Sequence, residues 1–576
     1  MSTRLVAFVV VAACTPGAHP ALVTTAETSH YRETGRYDEA VRLCHDFARA
    51  YPHVRCDQLG ATGEGRAIVA VHIGRGDRPL IYVQAGIHAG EIEGKDAGFR
   101  FLRDLLDGKV APGALDAVDV LFVPIVNPDG HEQFGPNNRP NQRGPVAMGF
   151  RTNDARLNIN RDFVKAETPE MHALLRAFTA YHAILLVDLH TTDGAKFEQD
   201  ISINVAPVAP RDDQLDAVAA ELASTTVKRL TELGHLPLAF YPMFLTNDDP
   251  ASGFAISDAP PRFSQMYAGA RSRLGVLVET HSWRTYQERA ESTYHALQAI
   301  FEAATRSAAS WVAAEAAADR ADQQLGGRDV TLVWDNGPHR TEIAFRGYAY
   351  AKARSEISGN DWIVYDEHTP QIWRVPLFDE LVPKVTIHVP RAGYLVDGGF
   401  APLVAPVLEH HGLRYVKLDG EPRVEVEVYR ATGVTYQPPF EGHAQVALDG
   451  AWTPETRTLQ RGAIFVPIDQ PSARLVLHLL EPTLPDSFAQ WGMFNAVFER
   501  KEYIEPYVLE QAARDMLAAD PTLQARFDAA LAADPELAKS PRRRLDWFYK
   551  LHPTWDTRVN LLPIYRTATR YEPRGR

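Results

Sequence analysis

Hydrophobic and polar positions alternate in more than one rhythm along this chain. Between about residues 30 and 310, apolar runs at Ala67–Ile73, Leu80–Ala85, Val118–Val126, Ala183–Leu189 and Leu274–Val278 predict strands. Amphipathic stretches separate them. Tyr37 to Tyr51, for instance, sets Ala40, Val41, Leu43, Cys44, Phe47 and Ala48 at helical spacing. Strands interleaved with helices predict an α/β domain. An Ala-rich helix from about Ser292 to Leu325 stops at Gly326-Gly327, which marks the first domain boundary. Beyond it the pattern turns to β-branched and aromatic runs, Val330–Trp334, Trp362–Tyr365 and Val385–Val389. One α/β unit follows at Gly393–Leu418, and short strands run over about 423–480. From Asp486 onward the spacing is helical, with Phe494, Val497, Phe498, Tyr503, Tyr507 and Val508 predicted to form an apolar face. The predicted organisation is therefore 1–28, a signal segment plus linker; 29–326, an α/β domain; 327–485, a β-rich mixed accessory domain; and 486–576, a helical C-terminal region.

Length and composition narrow the class. The 576 residues exclude a single small module, and 45% hydrophobic with 23% charged residues is globular composition. Lys and Arg total 60 against 73 Asp and Glu, so the net charge of -13 disfavours a nucleic-acid partner. The basic run Arg542-Arg543-Arg544 reads as a solvated helical face. Three cysteines exclude a disulfide-dense scaffold and a cysteine-rich metal cluster. Cys44 and Cys56 enclose 11 residues, and both a disulfide and two buried thiols stay open. The apolar run Leu5–Ala13 is too short to span a membrane but fits an export signal. It ends Val11-Ala12-Ala13-Cys14, similar to a bacterial lipobox. The expected location is the bacterial periplasm or outer envelope, with Cys14 as the candidate lipid anchor.

Candidate chemistry gathers at the strand ends. Leu80–Ala85 runs into Gly86-Ile87-His88-Ala89-Gly90-Glu91, so His88 and Glu91 can face one point. Alone, such a pair is more often a pair of satisfied polar residues than a metal site. A second apolar strand ends in His190 and a third delivers Glu279, and open α/β sheets bind ligands at the carboxyl ends of their strands. Two imidazoles and a carboxylate suit one Zn²⁺ per chain, with a position left for water. Glu279, on its own readable as a solvent-facing carboxylate, would then take the proton of a zinc-activated water.

His88-x-x-Glu91, Asn127-Pro128-Asp129-Gly130, Asn160-Arg161, Asp188-Leu189-His190 and Glu279 occur in this order. That ordered set resembles the zinc metallocarboxypeptidases of the carboxypeptidase A and B type over about residues 30–310. The resemblance implies a mixed central sheet with helices on both faces and a peptide substrate cut at its C-terminal bond. It also implies His88, Glu91 and His190 as zinc ligands, Glu279 as general base, and Asn160 with Arg161 as the clamp for the substrate's terminal carboxylate. An upstream arginine should stabilise the oxyanion; Arg143 and Arg151 both qualify, and spacing favours Arg143. The family often places Asp two residues before the clamp Asn, where this chain has Asn158, and Asp188 could supply the missing charge to a zinc histidine. Neither Tyr241 nor Tyr267 matches the family's mobile tyrosine, and packing roles are favoured for both. An amide hydrolase or deacylase acting on cell-wall peptides or N-acyl amino acids uses the same scaffold and is the alternative reading. An inactive envelope-anchored binding protein is the alternative of another class.

Overall fold

The computed structural model describes residues 22–192 and 194–572. Cys14 and the export run Leu5–Ala13 lie outside the described residues. The first part of the chain builds a mixed sheet from β1 (Val54–Ala61), β2 (Ala67–Ile73), β3 (Leu80–Ala85), β4 (Asp119–Val123), β5 (Leu185–Thr192), β6 (Ile201–Ala206), β7 (Pro237–Leu238) and, after the short β8 (Phe254–Ala255), β9 (Leu274–His281). Its order is β1-β2-β4-β3-β5-β9-β6-β7, with β4, β3, β5 and β9 parallel at the centre.

The central strands are apolar at nearly every position because both faces are covered. Ile81, Val83 and Ala85 of β3 pack with Phe47, Phe99, Leu102 and Ile300 of the helices Tyr37–Ala50, Glu93–Leu106 and Tyr286–Asp322. Leu80 and Tyr82 join the opposite core with Leu174 and Phe178 of the helix Pro169–Ala180. The expected α/β sheet with helices on both faces is thus present. The Ala-rich helix starts earlier than its sequence pattern suggests, at Tyr286, because Thr285 and Glu288 form a capping box.

The accessory region begins with β10 (Asp329–Asn336), β11 (Thr341–Arg354), β12 (Asp361–Phe378) and β13 (Leu381–His388). β11 and β12 form a long hairpin whose base pairs with β8, so it is tied to the first domain. A second sheet, β15-β18-β14-β19-β16-β17, comprises β14 (Gly393–Val396), β15 (Val416–Lys417), β16 (Arg423–Tyr436), β17 (Val446–Thr458), β18 (Ile464–Pro467) and β19 (Leu561–Thr567). Val404, Leu408, Leu475 and Ile564 of this region share one continuous core with Leu80 and Tyr82.

Three expectations need correction. Residues 22–28 are packed and not linker: Leu22 and Ala26 are buried, and Glu27 pairs with Arg103 at 2.6 Å. The C-terminal region is helical over Pro506–Tyr549, but the chain then returns as β19 between β14 and β16. Its apolar face also differs, since Tyr503 and Tyr507 are 67% and 77% exposed. Leu509, Ala513, Phe527, Phe548 and Tyr549 close that small core instead. Cys44 and Cys56 form a disulfide joining the helix Tyr37–Ala50 to β1.

Candidate metal centre

Gly86 ends β3 with φ of 65°, a left-handed conformation that turns the chain so that Ile87 is buried and His88 faces the crevice. Glu91 follows in a turn closed by its own N–H donating to the His88 carbonyl at 2.9 Å. Gly90 permits a close approach here: a Cβ would stand 2.6 Å from the Gly149 carbonyl oxygen and from Arg139 Cγ. On the neighbouring strands, His190 and Glu279 are register partners at the carboxyl ends of β5 and β9. Three strand ends therefore converge as the sequence suggested.

His88, Glu91 and His190 are all buried, and each offers a ligand atom within 4.8 Å of the others. His88 Nδ1 lies 3.0 Å from Glu91 Oε1, and His190 Nδ1 lies 2.9 Å from Glu91 Oε2. The far nitrogens fix the tautomers. Asn158 Oδ1 accepts from Asn160 N at 3.0 Å and sits 3.1 Å from His88 Nε2, so that nitrogen carries the proton and Nδ1 keeps its lone pair. Asp188 Oδ2, at 2.8 Å from His190 Nε2, does the same for His190. With the His190 ring neutral, two imidazole lone pairs and one carboxylate face a common point, a donor set that fits Zn²⁺.

The electrostatics follow from burial and these contacts. Burial drives the His88 imidazolium down to about 4. Burial pushes Glu91 upward, but His88, Arg139 and His190 outweigh it and hold the carboxyl well below its usual range. For His190, burial is overcome by Asp188 and Glu91, so without metal the ring holds its proton far above the ordinary value. Glu279 is buried with Oε2 unpartnered, and burial lifts its carboxyl to about 8 against the pull of His190.

Among the arginines, geometry separates what spacing did not. Arg143, preferred from the sequence, turns away: Nη2 pairs with Glu367 Oε1 and Oε2 of β12 at 2.7 and 2.5 Å, and the side chain is 45% exposed. Its backbone is pinned by Arg289, which donates to the Arg143 carbonyl at 2.9 Å. Arg151 Nη1 reaches within 3.4 Å of Glu91 Oε1. Sequence reading missed Arg139, whose side chain is 6% exposed with its guanidinium 2.8 Å from Glu91 Oε1. Its segment, Asn137-Asn138-Arg139-Pro140-Asn141, reads only as a loop.

Asn160 and Arg161 lie in a short 3-10 turn, Ile159–Arg161. The Asn160 side-chain oxygen accepts from Ser264 N at 3.4 Å. Arg161 donates to the Asn160 carbonyl at 2.6 Å and lies 4.3 Å over the Phe263 ring, and no carboxylate among the described residues forms an ion pair with it. Burial, then the nearby Arg151 charge, lowers Arg161 to about 10. The two tyrosines differ in setting. Tyr267 is buried with its hydroxyl on His411 Nδ1 at 2.9 Å, whereas Tyr241 is 36% exposed and its hydroxyl accepts from Thr192 at 3.0 Å. Asn-Pro-Asp-Gly is structural: Asn127 caps the helix Pro128–Glu132, and Asp129 pairs with Arg66 at 2.6 Å.

Residues 40–223 match the sequence profile of the zinc carboxypeptidases, a stretch that contains His88, Glu91, Asn160, Arg161 and His190. That stretch is similar to a zinc carboxypeptidase domain, and the His-Glu-His group it contains could hold a metal ion. Similar solved structures include a metallo-carboxypeptidase from Pseudomonas aeruginosa in complex with (2-guanidinoethylmercapto)succinic acid, 15% identical, covering 49% of this chain and 70% of that one, TM-score 0.37. A metallo-carboxypeptidase from Burkholderia cenocepacia is 17% identical over 45% of this chain and 66% of that one, TM-score 0.34. Carboxypeptidase A from Helicoverpa armigera is 14% identical over 48% and 74%, TM-score 0.35. No curated protein matches this chain.

Proposed function

We propose that this chain is an exported zinc metallocarboxypeptidase that removes the C-terminal residue of peptides, with Glu279 as general base. The observation that carries the terminal specificity is Arg161, a guanidinium without an ion-pair partner among the described residues and close enough to Arg151 for their charges to oppose each other. Arg161 and Arg151 are neighbouring cations, and a peptide's terminal carboxylate is an anion that a guanidinium binds bidentately.

His88 Nδ1, His190 Nδ1 and Glu91 would hold the metal. Zinc, when bound, supplies a Lewis acid that polarises the scissile carbonyl and makes a water acidic near neutral pH. Glu279 would take a proton and pass it to the leaving amine, a role supported by its buried, unpartnered Oε2. Arg151, which lies 3.4 Å from Glu91, is the choice for donor to the developing oxyanion over Arg143, which turns to Glu367. Arg139 keeps Glu91 ionised. The direct test is release of a free C-terminal amino acid from peptides, lost on chelation and restored by zinc.

Export is supported by the apolar N-terminal run and by the Cys44–Cys56 disulfide, a bond typical of oxidising compartments. A mature chain beginning at acylated Cys14 is the expected product of processing. A mature chain retaining Met1 would contradict export.

A further inference from the structure

Four further side chains of metal-ligating type gather on the other side of β9. Asp200 precedes β6, His235 precedes β7, and Glu291 and His295 sit one helical turn apart on the helix Tyr286–Asp322. All four line one cavity of about 360 Å³, which shares no lining residue with the catalytic group.

The contacts order these residues. Asp200 Oδ2 lies 2.6 Å from His235 Nδ1, and Ser292 Oγ is 3.2 Å from the same oxygen. Asp200 Oδ1 accepts from Leu236 N at 2.8 Å, so the carboxylate is fixed. A carboxylate on Nδ1 places the proton there and leaves the lone pair on Nε2. That nitrogen stands 2.7 Å from His295 Nδ1, with the two ring centroids 5.0 Å apart. Asp188 treats His190 in the same way in the catalytic group.

We infer that His235 and His295, with Glu291, form a second zinc site that ties the loop before the edge strand β7 to the long helix. With metal–nitrogen bonds of about 2.0–2.1 Å in tetrahedral geometry, two ligand nitrogens stand roughly 3.3 Å apart, so the rings must separate by about 0.6 Å from the present 2.7 Å. The ion replaces the single proton that the two rings share. Glu291 is exposed and lies four residues before His295, the spacing at which helix side chains share a face, so its carboxylate can turn onto the same ion. The cavity leaves room for water to complete the coordination shell.

The test is zinc stoichiometry of the full chain, stripped with chelator, reloaded with zinc chloride and passed through gel filtration. Wild type should retain two equivalents, His295→Ala one, and the His295→Ala protein should keep its peptidase activity. His88→Ala should also retain one equivalent, which separates this site from the catalytic one. A single equivalent in wild type that His88→Ala removes and His295→Ala keeps overturns the second site. So does a second equivalent that survives both His295→Ala and Glu291→Ala.

Discussion

His190 and Glu279 face each other across β5 and β9 as register partners, one with its ring between Glu91 and Asp188, the other with a carboxylate oxygen that has no hydrogen-bond partner. Adjacent parallel strands thereby set a candidate metal ligand beside the proposed proton acceptor without any loop having to order them. The two residues should consequently fail in different ways when replaced.

His190→Ala should lose the catalytic zinc and most activity. It should also melt lower in zinc-containing buffer, since a ligand present at 1,000 times its Kd stabilises the folded state by about 4 kcal/mol. Metal analysis and thermal denaturation check this together; unchanged zinc content would remove His190 from the ligand set.

Glu279→Gln should keep zinc and lower kcat by roughly 10²- to 10⁴-fold, because an amide is nearly isosteric but accepts no proton. Zinc loss in this variant would make Glu279 a ligand instead.

The burial that lifts Glu279 from 4.5 to about 8 also predicts a pH dependence of stability in metal-free protein. A raised folded pKa means that the native state holds the proton more tightly than the unfolded one. Its contribution is fully present below pH 4.5 and is lost as pH rises toward about 8. The melting temperature of metal-free wild type, measured relative to Glu279→Gln, should therefore fall between pH 5 and 8. A flat difference would show that Glu279 titrates normally.

Arg151→Ala should lower kcat by roughly 10²- to 10³-fold, the usual cost of removing an oxyanion donor, with little change in KM. Arg143→Ala should stay within severalfold of wild type, because it pairs with Glu367 at the surface. The reverse ranking would restore Arg143 to the role its spacing suggested.

Much of the site was legible because strand ends are legible: buried runs such as Leu80–Ala85 and Leu185–Leu189 announce where His88 and His190 must emerge. The two arginines were not separable, since residue spacing does not say which way a long side chain turns once Glu367 arrives from a distant hairpin. Arg139 gave no signal because its partner Glu91 is brought to it by a loop without periodicity. β1 was missed because Arg55, Asp57 and Gln58 break its apolar pattern at a sheet edge, and β6 because Ser202 and Asn204 interrupt it. β19 follows a run of helices, and only pairing with β14 and β16 more than 100 residues earlier makes it a strand.

The central claim is that Arg161 recognises a free terminal carboxylate. The decisive measurement is kcat/KM of wild type and Arg161→Ala on a peptide acid and on its C-terminal amide. Wild type should strongly prefer the acid. Loss of a charge-assisted bond of about 1.5–3 kcal/mol should cost Arg161→Ala about one to two orders of magnitude on the acid and much less on the amide. Equal wild-type rates on acid and amide, with the mutation affecting both alike, would contradict the carboxypeptidase reading and favour an amidase or deacylase on the same metal.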